Sequence, residues 1–133
     1  MVIGACIEVH RVLGPGLLES AYEQCLAHEL ALRGLVYLRQ TSVPIDYKGL
    51  RIDCSYRVDF VIGGELVVEL KAVERLLPVH EAQVITYMKL LGLQTRLLVN
   101  FHAETIKRGL RRLTLKPAFP PSRLPVCPAG NGP

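Results

Sequence analysis

Four stretches of the chain carry apolar residues at the spacing of an α-helix. In the first of them Ile3, Cys6 and Ile7 fall on one helical face. Glycine and proline interrupt the pattern, as in the GPG run at 14–16 and at Gly34. The pattern predicts helices over residues 2–12, 17–33, 79–91 and 103–112.

Between the second and third predicted helices the chain becomes rich in β-branched and aromatic residues, which is typical of strands. Lys48-Gly49 and Gly63-Gly64 mark turns within this region. Strands are predicted over residues 36–47, 50–62, 65–73 and 94–101. The order ααβββαβα predicts an α/β (α+β) domain with a mixed four-stranded central sheet flanked by helices, whose last two strands run parallel across a helical connection.

The length of 133 residues and the 50% hydrophobic content suit one domain with a core of its own. From residue 117 onward six of seventeen residues are proline, which predicts a folded domain at 1–116 and a disordered tail at 117–133. No apolar run approaches the roughly 20 residues of a membrane-spanning helix. The four cysteines form no CxxC pair, so we expect no zinc site, no disulfide framework and a cytoplasmic location.

The positive charge is concentrated near the C-terminal end. Residues 102–133 carry six basic side chains against one acidic side chain, whereas the first 101 residues are close to neutral. A basic cluster of this kind can face phosphates or can simply form a solvated surface, and both interpretations stay open. The candidate nucleic-acid contacts are Lys107, Arg108, Arg111 and Arg112.

Asp59, Glu69 and Lys71 form the sharpest chemical feature of the sequence. Side chains alternate along a strand, so Glu69 and Lys71 share one face of an otherwise apolar strand. Charged groups in such a strand are costly to bury without a partner. A divalent cation with a phosphate ligand would be such a partner. An exposed ion pair is the competing interpretation, because acid-x-lysine triplets arise by chance and Asp46-Tyr47-Lys48 is a second one.

Asp59 and Glu69 can share a metal only if their side chains lie on the same face of a hairpin. This requires them to be direct opposites, with Ile62 opposite Leu66 and a three-residue loop at 63–65. A two- or four-residue loop without a bulge would separate the two carboxylates.

Two helices offer further polar residues on single faces. In GLLESAY, at residues 16–22, Glu19 and Tyr22 lie three positions apart. In the helix over 79–91, His80, Gln83 and Tyr87 also share a face. Each residue has an ordinary structural explanation, but their coincidence with the acids and the lysine favours a site.

The segments VHRVLGPGLLESAY, YRVDF, VVELKAVERLLPVHEAQVITYMKLLG and LLVNF together closely resemble the GxxExxY proteins of the PD-(D/E)XK nuclease superfamily. The resemblance covers about residues 2–113. It implies a restriction-endonuclease-like fold and Mg²⁺, with Mn²⁺ as a substitute. It also implies that Glu19, Asp59 and Glu69 bind metal, that Lys71 is the motif lysine, and that Gln83 and Tyr87 form the QxxxY helix.

Two functions are compatible with this resemblance. The first is a metal-dependent nuclease for DNA or RNA, in which the acids hold Mg²⁺ and Lys71 assists the attacking water. The alternative is a non-catalytic module on the same scaffold that binds nucleic acid or a protein, since a fold does not fix a function. The retained acids and lysine favour the enzyme, which could act alone, as an oligomer or in a larger assembly.

Overall fold

The computed structural model describes residues 1–53 and 56–115. Its elements in chain order are α1 (Val2–Leu13), α2 (Glu19–Leu32), β1 (Tyr37–Ser42), β2 (Ile45–Tyr47), β3 (Leu50–Ile52), β4 (Arg57–Ile62), β5 (Leu66–Lys71), α3 (Pro78–Leu91), β6 (Thr95–Asn100), α4 (Ile106–Gly109) and β7 (Leu110–Thr114). No helix among these residues has the length and apolarity needed to cross a membrane. The predicted tail at 117–133 lies outside the described residues, as do Cys54 and Cys127.

One mixed sheet dominates the fold, with the strand order β1-β4-β5-β6-β7. β5 and β6 are parallel and are connected through α3, and the other three pairs are antiparallel. The predicted mixed sheet with flanking helices is therefore confirmed, including the parallel pair.

The number of strands and the order ααβββαβα were wrong, because the sheet has five strands where four were predicted. The predicted helix over 103–112 is only the single turn α4, after which β7 pairs with the edge of β6. Gly109 ends that turn against the backbone of Asn100, where a side chain would not fit. Pairing along the open edge of β6 outweighs the helical pattern of this segment.

The two long strands predicted over 36–47 and 50–62 are each divided. Pro44 follows β1, and its missing amide hydrogen prevents the ladder from continuing. The chain then forms the separate hairpin of β2 and β3 around the predicted Lys48-Gly49 turn. Both turn residues have positive φ, of 49° and 90°.

The helices cover both faces of the five-stranded sheet. α1 and α2 pack on one face in a core that includes Tyr22, Val68 and Leu70. α3 covers the other face, where Val84 and Met88 contact side chains such as Val67. The alternation in β5 therefore directs Val68 and Leu70 toward α1 and α2, and it directs Glu69 and Lys71 toward the side of α3.

The hairpin between β4 and β5 has the register that a shared site requires. Ile62 lies opposite Leu66 across the three-residue loop 63–65, as predicted. Gly63 and Gly64 both have positive φ, which glycine adopts without steric cost. Counting back along the two strands places Asp59 directly opposite Glu69.

Candidate active site

Asp59 and Glu69 lie where β4 and β5 stop pairing. The backbone ladder between these strands ends at Phe60 and Val68. Beyond it, the amide of Asp59 donates to Glu69 Oε1 at 2.7 Å, and the amide of Leu70 donates to Asp59 Oδ2 at 2.8 Å. Each carboxylate thus takes the place of a backbone acceptor on the opposite strand. We call this pair, Asp59 and Glu69, the carboxylate fork.

The end of β5 that carries Lys71 is fixed by β6. Asn100 pairs with Lys71 in the parallel register, and the Lys71 carbonyl accepts from the amide of Phe101 at 2.8 Å. The buried Asn100 side chain accepts from the amide of Val73 at 3.1 Å and donates to its carbonyl at 2.8 Å. The lysine therefore extends from a backbone that is held on both sides of its position.

Glu19 is the first residue of α2 and comes to the site from the opposite helical layer. The turn before it is held by the fully buried Tyr22, whose hydroxyl donates to the Gly14 carbonyl at 2.5 Å and accepts from the Leu17 amide at 3.1 Å. The Tyr22 ring stacks on Phe101 with centroids 4.6 Å apart. Tyr22 is therefore a structural residue that fixes the approach to Glu19.

Burial raises the pKa values of all three acids, and repulsion from a neighbouring carboxylate adds to each shift. Loss of hydration, followed by the charge of Asp59, raises the pKa of Glu69 to about 8. Loss of hydration also raises the pKa of Asp59, and loss of hydration together with the charge of Asp59 raises that of Glu19. The Lys71 ammonium opposes each of these shifts, so it acts on all three carboxylates.

Tyr87 approaches the fork from α3. Loss of hydration and then the charge of Glu69 raise the pKa of its phenol, with smaller contributions from Tyr56 and Asp59. The rings of Tyr56 and Tyr87 lie 6.2 Å apart. Gln83 is exposed one turn before Tyr87, and His80 has a local role, because its Nδ1 accepts from the Leu77 amide at 3.0 Å at the start of α3.

The two carboxylates of the fork are ligands suited to a hard divalent cation. Its two carboxylates are costly to ionise where they lie, and a cation between them would offset that cost. Within residues 1–53 and 56–115 no group of three or more His, Cys, Asp or Glu side chains is gathered closely enough to hold a metal ion. Mg²⁺ is commonly bound through one or two carboxylates with water and substrate oxygens completing its shell, so the donor set fits this ion.

The four basic residues proposed as phosphate contacts lie on or next to the edge strand β7. All four are exposed, and Arg108 pairs with Glu104 at 3.1 Å. β7 is separated from β5 by β6. Arg112 lines a cavity of about 340 Å³ together with Leu66 and Thr95, which begin β5 and β6, whereas Lys71 is at the other end of β5.

Two polar neighbours of the fork, Gln40 and Glu23, were not predicted from the sequence. Gln40 donates from Nε2 to Asp59 Oδ1 at 3.1 Å, and Glu23 accepts from the same nitrogen at 2.9 Å. Glu23 could have been found, because it lies four residues after Glu19 and so on the same face of α2. Gln40 carries no comparable signal in the sequence.

A family model described as the PD-(D/E)XK nuclease superfamily matches residues 1–113. The matched range extends from α1 to β7 and includes every residue of the site described above. No curated protein and no solved structure is significantly similar to the chain.

Proposed function

The chain belongs to the PD-(D/E)XK nuclease superfamily, and on that premise we propose that it is a metal-dependent phosphodiesterase that cleaves DNA or RNA. The observation that carries the proposal is the carboxylate fork with Lys71 on the same face of β5. A sheet that interrupts its own ladder to present two acids and a lysine has the parts of a hydrolytic site.

Mg²⁺ is the proposed cofactor, with Mn²⁺ as a substitute, and Asp59 and Glu69 are its proposed ligands. A bound divalent cation would polarise the scissile phosphate and lower the pKa of a coordinated water. Glu19 is the proposed third acid of the metal site and would contact the cation through a water, because the three acids are not gathered closely enough to bind it together directly. Its place at the start of α2, where it interacts with Asp59 and Lys71, supports this role.

Lys71 is proposed to orient the attacking water and to balance charge at the phosphate. Its effect on all three carboxyl groups supports a central position. Tyr87 and Gln83 are proposed to contact the water or the substrate from α3. The electrostatic effect of Glu69 on Tyr87 supports the role of the tyrosine.

Lys107, Arg108, Arg111 and Arg112 remain the proposed contacts to the nucleic-acid backbone. Their separation from β5 suits a substrate long enough to extend beyond the cleavage point, since each phosphate contact adds sequence-independent affinity. We also propose a cytoplasmic location, which the cysteine pattern supports.

We further propose that the chain is one of the GxxExxY proteins within this superfamily. Gly16, Glu19 and Tyr22 provide the pattern. Gly16 has φ of 103°, Glu19 begins α2, and Tyr22 closes the turn between them. Each position of the motif thus has a physical role in presenting the Glu19 carboxylate.

The test is a cleavage panel of single- and double-stranded DNA and RNA with Mg²⁺, Mn²⁺ or no divalent ion. Wild type should cleave at least one form only with a divalent ion, and Lys71→Ala should abolish cleavage while retaining the fold. Lys89→Ala is the matched control, because it removes an exposed lysine on α3. Binding without cleavage under every condition would instead favour the non-catalytic module.

A further inference from the structure

Gln40 occupies an unusual position in the sheet. It lies within β1 with φ of 51°, a left-handed conformation that residues other than glycine rarely adopt. The β1–β4 ladder pairs Arg39 with Phe60 and Thr41 with Val58, and it omits the position between them, where Gln40 is opposite Asp59. The strain is therefore located beside the carboxylate fork, and strained residues of this kind cluster at functional sites.

The side chain of Gln40 connects two carboxylates. Its Nε2 donates to Asp59 Oδ1 at 3.1 Å and to Glu23 Oε2 at 2.9 Å. An ionised carboxylate can only accept hydrogen bonds, and the amide nitrogen of Gln40 has two hydrogens to donate, so the two partners determine the orientation of the amide. Arg39 holds the same Glu23 oxygen from Nη2 at 3.1 Å, which anchors the far end of the bridge.

The two oxygens of Asp59 are consequently held from two directions. The Leu70 amide fixes Oδ2 from β5, and Gln40 fixes Oδ1 from β1. Two bonds to different oxygens determine the plane of the carboxylate, whereas one bond would leave it free to rotate. A carboxylate oxygen has two lone pairs, so each oxygen retains capacity for a cation.

We propose that Gln40 is a positioning residue that orients Asp59 to bind the divalent cation, with Glu23 and Arg39 as its anchor. This inference rests on the proposed function. Gln40 also keeps the negative charges of Glu23 and Asp59 from facing each other without a donor between them. Partners that orient the ligands of a metal typically change its affinity or the activity by about 10- to 100-fold when they are removed.

A purely structural role for Gln40 makes a different prediction. If the residue only completed the edge of the sheet, its replacement would change stability and leave metal affinity unaltered. Gln40→Gly separates the two roles, because glycine adopts positive φ without strain but has no amide side chain. Gln40→Ala removes the amide and retains the strain.

The experiment measures Mn²⁺ affinity by calorimetry on the full chain without nucleic acid, together with urea unfolding. Gln40→Ala and Gln40→Gly should both bind Mn²⁺ about 10- to 100-fold more weakly than wild type, although the glycine variant should be the more stable of the two. Gln24→Ala, which removes an exposed glutamine on α2, should match wild type.

Three results would overturn the proposal, and they are distinguishable. If wild type binds Mn²⁺ and the Gln40 variants bind it equally well, Gln40 does not position Asp59, and the proposed metal site stands. If wild type binds no Mn²⁺, the proposed metal-dependent activity and the role of Gln40 both fail. Weaker affinity in Gln40→Ala that is restored in Gln40→Gly would assign the effect to backbone strain and also reject the role of the amide.

Discussion

The backbone amide of Asp59 lies 2.7 Å from Glu69 Oε1, so one acid of the fork is held by the main chain of the other. Burial nevertheless raises the pKa of Glu69 from its usual 4.5 to about 8. Between these two pH values the folded protein keeps a proton on Glu69 that the unfolded chain has released. The stabilising contribution of that proton is complete below about pH 4.5 and is lost as the pH rises through about 8.

Glu69→Gln should therefore change the pH dependence of stability in metal-free buffer. Between pH values of about 5.5 and about 8, wild type should lose up to about 1.4 kcal/mol per pH unit relative to the variant. The measurement is the free energy of unfolding in urea at both pH values. Glu65→Gln, at an exposed position in the hairpin loop, should show the same pH dependence of stability as wild type. Parallel curves for Glu69→Gln would contradict the raised pKa.

Glu19→Gln should separate metal binding from folding. Removing one of three mutually repelling carboxylates should leave the metal-free protein as stable as wild type or slightly more stable. Wild type should melt at a higher temperature when Mg²⁺ is added, and the variant should gain less. Thermal melts with and without Mg²⁺ test both points.

The alternative for Glu19 is a favourable interaction with the dipole at the start of α2, worth roughly 0.3–1 kcal/mol. In that case the variant would melt lower in both buffers and wild type would gain nothing from Mg²⁺. Glu74→Gln is the control, because Glu74 is exposed and lies outside the helices.

Tyr22→Phe should weaken both the fold and the site. The change keeps the stacked ring but removes the hydroxyl that bonds to Gly14 and Leu17, at a cost of about 1 kcal/mol. Glu19 should then be less well fixed, which should lower kcat by up to about 100-fold. Urea unfolding and single-turnover cleavage measure the two effects. Tyr47→Phe, at an exposed position in β2, should leave both unchanged.

Gly109→Ala and Gly4→Ala should have effects of opposite sign. A Cβ at Gly109 would lie 2.8 Å from the Ala103 Cβ and even closer to the Asn100 carbonyl oxygen, so the variant should lose roughly 1–3 kcal/mol or more. At Gly4 the nearest atom is Arg33 Nη1, at 3.1 Å on a flexible side chain, and alanine favours the helix by roughly 0.5–1 kcal/mol. Urea unfolding of both variants tests the close packing of α4 on β6. Equal free energies of unfolding for the two variants would contradict that packing.

The sequence predicted well those parts of the fold that local patterns determine. The three long helices lie within two residues of their predicted bounds, and the 63–65 loop has the predicted length. With a loop of that length, the alternation of side chains along the two strands predicts that Asp59 lies opposite Glu69. Predictions of this kind depend on the period of the side chains and on glycine, both of which are visible in the sequence.

The parts that were missed depend on long-range pairing. Residues 103–112 have helical spacing, but the helix is limited to the single turn α4, and the open edge of β6 pairs with the chain from Leu110 onward as a strand. Only Gly109 within the segment indicated this end of the helix. The division of the first long strand could have been predicted from Pro44. Gln40 could not have been found, because its positive φ and its two carboxylate partners arise only after β1, β4 and α2 have assembled.

The conformation of Gln40 also affects how the sheet meets other molecules. β1 and β7 are its two outer strands, and an exposed edge can recruit a strand from a second chain and so begin aggregation. The left-handed residue interrupts the row of amides and carbonyls that an incoming strand would need along β1. On β7 the adjacent positive charges of Arg111 and Arg112 repel a second copy of the same edge. The residue that touches Asp59 therefore also helps to keep the sheet from growing beyond five strands.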